Sequence, residues 1–370
     1  MTDCLRNEIR LKHARVAEYL DANKLDAVLL GRRCNFSWYT CGGRNFVGHA
    51  ADVGNSWLLI DRNGAVALTN NIESPRLGRE ELAPRGIDVI DWEWHDSAAQ
   101  RETMTRLTAG RAVAVDAAAP GLDLPRLGPD FDRLRYALLP SEIERYRGVC
   151  TDVISAVESA ARQVQAGMTE HEAAGLLSAQ IRRRGLLEWV VLVAADSRLR
   201  DFRHPLPTGQ AVRERIMLVT CSDRGGLIAA CSRIVSLVPL DEDIRRRHRS
   251  VCTVDAALWH ATRPGATQGE FFAQAQAAYA QTGYGDQWRL HHQGGAIGYQ
   301  PRDSRACPGD GTPALENQAF AWNPSIAGTK SEDTILCTPG GGQLLGESSF
   351  PQIEVEWNGQ TYSRPDILVL

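Results

Sequence analysis

The sequence predicts an α/β protein of two domains, the second built from two related halves. Three observations carry that prediction. Helix-period and strand-like segments alternate through the first third of the chain. Residues 119–130 then form a stretch rich in Pro, Gly and Asp, the composition of a linker. Beyond it, a pattern of long helix, capped helix and strand occurs twice.

At 370 residues the chain has room for two domains of ordinary size. The composition, 43% hydrophobic and 23% charged, is that of a soluble globular protein. A net charge of −4 argues against a nucleic-acid partner, because phosphate binding needs a basic surface. The arginine runs at 182–184 and 245–247 read as solvated faces near helix ends. Nine cysteines, an odd count with no CxxC pair, suggest neither a disulfide framework nor a zinc knuckle. No signal-type apolar segment precedes the first helix, and no apolar run has membrane-spanning length. A cytoplasmic protein with no membrane partner is the expectation.

The elements follow in order. Residues 5–24 carry a helical period through Leu5, Ile9, Leu11, Ala14, Val16 and Leu20. Residues 27–30 read as a buried strand, and 57–61 with 65–68 as a hairpin turning at Asn63-Gly64. Helical segments at 76–82 and 97–107 alternate with strands at 87–92 and 112–115. The expected domains are therefore 1–130 and 131–370. The second opens on Pro140, Ser141 and Glu144, a capping-box start to a long helix. Arg147-Gly-Val-Cys-Thr151 matches Arg249-Ser-Val-Cys-Thr253. Gly167-Met-Thr-Glu-His-Glu172 matches Gly265-Ala-Thr-Gln-Gly-Glu270, each with a Thr-x-x-Glu box. Gly185 lies 16 residues after Thr169, and Gly283 lies 16 after Thr267. Strand-like runs follow at 189–194 and 287–291. A cleft between two such halves is a natural place for a ligand.

Four segments hold residues suited to chemistry. His204, in Asp201-Phe-Arg-His-Pro-Leu-Pro-Thr208, lies between prolines on a predicted loop and suits a general base. His291-His292 precedes a paired glycine. On a strand the two side chains point apart, so at most one enters a given cavity. Gly294 and Gly295 would let the backbone approach a ligand closely. In Lys330-Ser-Glu-Asp-Thr334, Glu332 and Asp333 point apart, which directs one carboxylate inward. The segment 38–49, with its aromatics and glycines, Arg44 and His49, suits a small anionic group. No GxGxxG, no GxxxxGK[ST] and no GxSxG occurs.

Together these segments resemble the creatinase/aminopeptidase P/prolidase family over nearly the whole chain. The resemblance implies a creatinase-type N-terminal α/β domain followed by a pseudo-two-fold "pita-bread" catalytic domain. Cys34-Asn-Phe-Ser-Trp-Tyr-Thr40, Arg203-His-Pro-Leu-Pro-Thr208, the segment 291–299 and Ser331-Glu-Asp-Thr334 match family landmarks in order. Most of the family binds two divalent metals through two aspartates, a histidine and two glutamates. Aligned on Gly226 and Arg233, the aspartate positions hold Val219 and Ala230, and Asp223 matches neither. Aligned on Gly298, the histidine position holds Gly295, while His291 takes the place of an earlier family histidine. The first glutamate is Asn323, and Glu332 alone survives. One carboxylate among neutral neighbours does not make a two-metal site. The resemblance therefore points to a metal-free branch without cofactor, of which creatinase is the type, with a histidine as acid and base.

The expected function is metal-independent hydrolysis of a C–N bond in a small amide, amidine or guanidino substrate. His204 is the expected acid/base, His291 a donor to developing charge, and Glu332 the group that orients His204 or pairs with a substrate cation. Arg44 and His49 are expected to hold a substrate carboxylate, across a homodimer interface as the family implies. Arg302, where the family has a histidine, could do so from within the subunit. Asn323 and Phe202 complete the expected substrate contacts. Other readings of the same residues are elimination, cyclisation or isomerisation, an inactive binding module, and a metallo-aminopeptidase or dipeptidase.

Overall fold

The structure, a computed structural model, describes residues 3–370. It divides into two compact units, Met1–Glu142 and Ile143–Leu370. In the first, helix α1 (Asp3–Asn23) precedes β1 (Ala27–Arg32) and a short buried helix α2 (Arg33–Tyr39). The strands β2 (Val53–Asp61), β3 (Gly64–Asn70), β4 (Asp88–Trp92) and β5 (Val113–Val115) join β1 in one sheet, ordered β4-β3-β2-β1-β5. Helix α3 (Ser97–Thr108) starts on Asp96, whose carboxylate accepts from the amides of Ala98 and Ala99. The β2–β3 hairpin turns at Asn63-Gly64, where the sequence places it. Residues 119–130, read as a linker, instead run back along the sheet edge. Val115 N donates to Pro125 O at 2.9 Å and Leu127 N to Val115 O at 2.8 Å.

The second unit is largely helix α4 (Pro140–Ala161), helix α5 (Glu170–Arg183), strands β6 (Leu187–Ala195), β7 (Arg215–Arg224) and β8 (Leu227–Ser236), then helices α6 (Glu242–Ala261) and α7 (Gln268–Gln281). The cap of α4 differs from the expected one: the Glu142 carboxylate, not Glu144, accepts from the Leu139 amide at 2.9 Å. The repeat does appear as read. Thr169 with Glu172, and Thr267 with Glu270, form complete capping boxes on α5 and α7. Gly185 and Gly283 follow these helices with φ of 68° and 83°, a region open to glycine.

After α7 the halves diverge. Residues 287–290 form a short 3-10 helix (Gln287–Leu290) where a strand was expected. The second sheet comprises β9 (Gly294–Ile297), β10 (Ala319–Trp322), β13 (Asp333–Thr338) and β14 (Gly341–Leu344), with a small ribbon of β11 (Ser325–Ile326) and β12 (Thr329–Lys330). Strands β15 (Gln352–Trp357) and β16 (Gln360–Pro365) form a hairpin, and β17 (Leu368–Val369) adds to β8. Phe271, Phe320 and Trp322 pack with centroids 5.2–5.6 Å apart in the core between α6, α7 and this sheet.

A chain of buried charges ties these elements together. Glu158 on α4 bonds Arg233 on β8 at 3.1 Å, and Arg233 bonds Asp333 on β13 at 3.0 Å. Asp333 bonds Arg364 on β16 at 2.9 Å, and Arg364 bonds Asp255 on α6 at 2.8 Å. All nine cysteines are free. Among the described residues no helix is long and apolar enough to cross a membrane.

Candidate active site

Three imidazoles meet at one point of the second unit. His204 lies on the irregular segment after β6, in the proline-flanked context that suggested a loop. Its Nε2 is 3.2 Å from His291 Nε2. The His292 ring lies 5.6 Å from that of His204 and 4.7 Å from that of His291. The expectation that only one of the adjacent histidines could enter a cavity is thus wrong. It assumed a strand, whereas His291 and His292 bridge the 3-10 helix and β9, where side chains do not alternate.

The cluster is graded in exposure: His204 is exposed, His292 half-buried and His291 buried. The outer nitrogen of His291, Nδ1, lies 3.1 Å from Ser325 Oγ. His292 Nδ1 accepts from the Gly294 amide at 3.2 Å, which puts the proton of neutral His292 on Nε2. All three are held neutral at pH 7. Burial lowers the pKa of His204, and the Lys330 ammonium lowers it further. Burial, then Lys330, push His291 far down. Burial with Arg302 and Arg305 brings His292 down to about 4.

Glu332 is buried beside this cluster, but its partners differ from the expected ones. Its Oε2 accepts from Lys330 Nζ at 2.6 Å and from Ser232 Oγ at 2.5 Å, and no bond to His204 is formed. Burial would raise the Glu332 carboxyl. The Lys330 ammonium outweighs that and holds it below the ordinary value. His291 likewise spends its ring nitrogens on His204 and Ser325. Asn323 is buried, and its Oδ1 has no hydrogen-bond partner among the described residues. Arg302 Nη1 donates to the carbonyls of Gly295 and Ala321 at 3.2 and 2.8 Å. Phe202 is exposed beneath the Arg198 guanidinium, with Leu206 and Leu290 also exposed. These three apolar side chains lie within two residues of His204 or His291. Arg44 and His49 are exposed in the first unit, where Arg44 Nε bonds Glu81 Oε1 at 2.9 Å.

Sequence reading overlooked Lys330, Ser325 and Ser232. A signal for Lys330 was present, since Lys330 and Glu332 stand two apart on an extended segment and so share a face.

The donors of a two-metal centre can be sought at the aligned positions. Val219 pairs with Ser232 and Cys221 with Ala230 across the β7–β8 hairpin, so these four side chains share a face and none is a carboxylate; Asp223, two residues beyond Cys221 on that face, accepts from Trp189 Nε1 at 2.8 Å. Gly295 has φ of 155°, and a Cβ there would fall 2.1 Å from Ser304 O. The chain closes over the position where a histidine would stand. Both glycines pack closely on backbone, since a Cβ at Gly294 would also fall 2.2 Å from Ala321 O. Glu332 is already neutralised by Lys330. Among the described residues, the only convergent group of three or more His, Cys, Asp or Glu is His204, His291 and His292. These residues do not fit a carboxylate-bridged metal pair.

The fold so defined is a mixed α/β N-terminal domain followed by a pita-bread domain. Metallopeptidase family M24 matches residues 144–339, more than half of the chain, and the chain belongs to that family. It is 21% identical to a Xaa-Pro dipeptidase of Pyrococcus horikoshii over 358 residues, 90% of this chain and 96% of the relative. Among solved structures it resembles the prolidase of Pyrococcus horikoshii, with a TM-score of 0.77 at 18% identity, covering 91% of this chain and 98% of that one. The X-Pro aminopeptidase of Thermotoga maritima gives a TM-score of 0.73 at 18% identity, over 97% of this chain and 99% of that one.

Proposed function

We propose that the protein hydrolyses the C–N bond of a small dipeptide-type amide, using His204, oriented by His291, for proton transfer and no dinuclear metal centre. The observation that carries this is the convergence of three neutral histidines where no set of metal-binding carboxylates converges. The relatives named above are dipeptidases and an aminopeptidase, which favours a peptide substrate over the amidine or guanidino class.

His204 is the exposed member and is open to substrate. When its Nε2 proton is donated to His291, its Nδ1 carries the lone pair that receives a proton from water. Water adds to the carbonyl carbon, and the C–N bond breaks as His204 returns the proton to the departing nitrogen. Its lowered pKa makes His204 a weaker base and a stronger acid, which suits the second transfer. His291, buried and fixed by Ser325, orients His204. Asn323 Oδ1 is the acceptor for a substrate N–H. Phe202, with Leu206 and Leu290, meets an apolar substrate side chain. Arg302 acts near the same site, and Arg44 with His49 serves a substrate carboxylate from a second copy in a homodimer.

The second reading, a metallo-dipeptidase, is favoured by the names of the relatives. It requires ligands other than the aligned ones, and His204, His291 and His292, whose ring nitrogens lie within 4.8 Å of one another, are the set among the described residues that could hold a metal ion. A panel of dipeptides, with and without C-terminal proline, separates the possibilities when product amines are followed with and without chelator. Turnover of a dipeptide unaffected by chelator is the expected result. Turnover only after divalent metal is added would favour the second reading, and turnover of none of the panel would leave neither standing.

A further inference from the structure

A hydrolase without metal ions still needs something to hold the negative charge that develops on the carbonyl oxygen. We propose that Lys330 is that group: its ammonium receives the carbonyl oxygen as water adds, which rests on the hydrolytic reading given above. A metal centre polarises a carbonyl by fixed positive charge. Lys330 supplies such a charge from the protein itself.

Three observations place it there. Lys330 pairs directly with Ser325 across the β11–β12 ribbon, so the two side chains leave the ribbon on the same side. Ser325 Oγ is 3.1 Å from His291 Nδ1, which sets Lys330 beside the His291–His204 pair. The lysine side chain is only 4% exposed, so its charge acts where little water screens it. An ammonium has three N–H donors. The one hydrogen bond that the Lys330 ammonium makes among the described residues goes to Glu332 Oε2 at 2.6 Å, leaving donors for a ligand.

Glu332 then acquires a definite task. Held by Ser232 and bonded to Lys330, it keeps the lysine charged and aimed, as a positioning residue. Ser232 N also donates to Glu332 O at 3.1 Å, so the carboxylate is anchored to β8 through both backbone and side chain. Arg302 and Arg305 act on the histidines with the same sign as Lys330, and the cluster as a whole favours an anionic transition state. In the reaction, the C=O π pair moves to oxygen as water attacks, and that oxygen is held by Lys330. Collapse returns the pair to carbon, the C–N bond breaks, and His204 protonates the nitrogen. No oxidant or further co-reactant is needed.

The test uses the full-length protein and the dipeptide turned over most rapidly. Lys330→Gln should lower kcat by about 10²–10³, the effect of removing one oxyanion donor, with KM nearly unchanged. A phosphinate analogue of the same dipeptide, tetrahedral and anionic, should lose affinity by a similar factor, while the dipeptide product binds as before. Where Lys330→Gln does not fold, Lys330→Arg keeps the charge and should retain kcat within about tenfold. A folded Lys330→Gln protein with wild-type kcat and phosphinate affinity overturns the assignment, as does a folded Lys330→Arg protein as slow as one without the charge. Wild-type protein that hydrolyses no dipeptide would instead overturn the hydrolytic reading itself.

Discussion

Replacing His204 by alanine is expected to lower kcat by about 10²–10⁴, the contribution of a positioned acid/base. Folding should be little affected, because His204 is exposed on an irregular segment and fills no core space. The residual rate would come from substrate binding and oxyanion stabilisation, which this change leaves in place. The pH profile should carry the same signature. Neutral His204 is the active form, and burial together with Lys330 lowers its pKa. The acid limb of the wild-type kcat/KM profile should therefore have its midpoint below the ordinary histidine value. His204→Ala should abolish this limb along with most of the rate. Thermal unfolding checks that the variant is folded. A folded His204→Ala protein with wild-type turnover would remove the acid/base role.

The second large effect concerns stability. Arg364→Met is expected to cost about 3–5 kcal/mol, as removing one partner of a buried ion pair does. Arg364 bonds both Asp255 and Asp333, and both carboxylates are buried away from solvent. Burial already raises the pKa of Asp255 with Arg364 present. Without Arg364, Asp255 should take up a proton, so the variant should lose less relative to wild type as the pH falls. Methionine fills much of the space, so the loss measures the stranded charges more than a cavity. Asp333 is adjacent to Glu332, and the same change should loosen the strand that carries the site. Urea unfolding of both proteins at neutral and acid pH reads the difference. A loss below about 1 kcal/mol, the range of exposed pairs, would show that the network is not acting as a buried unit.

Much of the fold was legible because local chemistry determined it. The two Thr-x-x-Glu boxes, the glycines that follow α5 and α7, and the Asn63-Gly64 turn all appear where the sequence puts them. The failures share a cause. The segment at 287–291 has strand-like composition, but its neighbours make a 3-10 turn, and with that turn His292 joins His291. The stretch at 119–130 has linker composition and pairs with a sheet edge, a long-range contact that composition does not encode. At the site, His204 and His291 come together across 87 positions, and the family resemblance was what linked them. The sequence does not single out Lys330, because nothing local separates a buried lysine from an exposed one. Only the fold shows that it is buried against Glu332.

The family resemblance sets Val219, Ala230, Gly295 and Asn323 at four positions of the two-metal pattern, and the backbone adds something the sequence does not. At Gly295 the chain has closed to within 2.1 Å of where a Cβ would be, so restoring a histidine alone would not restore a ligand. Histidine there should disturb the chain around Ser304 before it could bind anything.

The central claim is that proton transfer by histidine, and not a metal pair, drives the reaction. Metal content and activity measured on the same purified sample test it most directly. The account predicts well under one divalent ion per chain, with full turnover after dialysis against chelator. About two ions per chain, lost together with activity on chelation and restored together on adding metal, would contradict it.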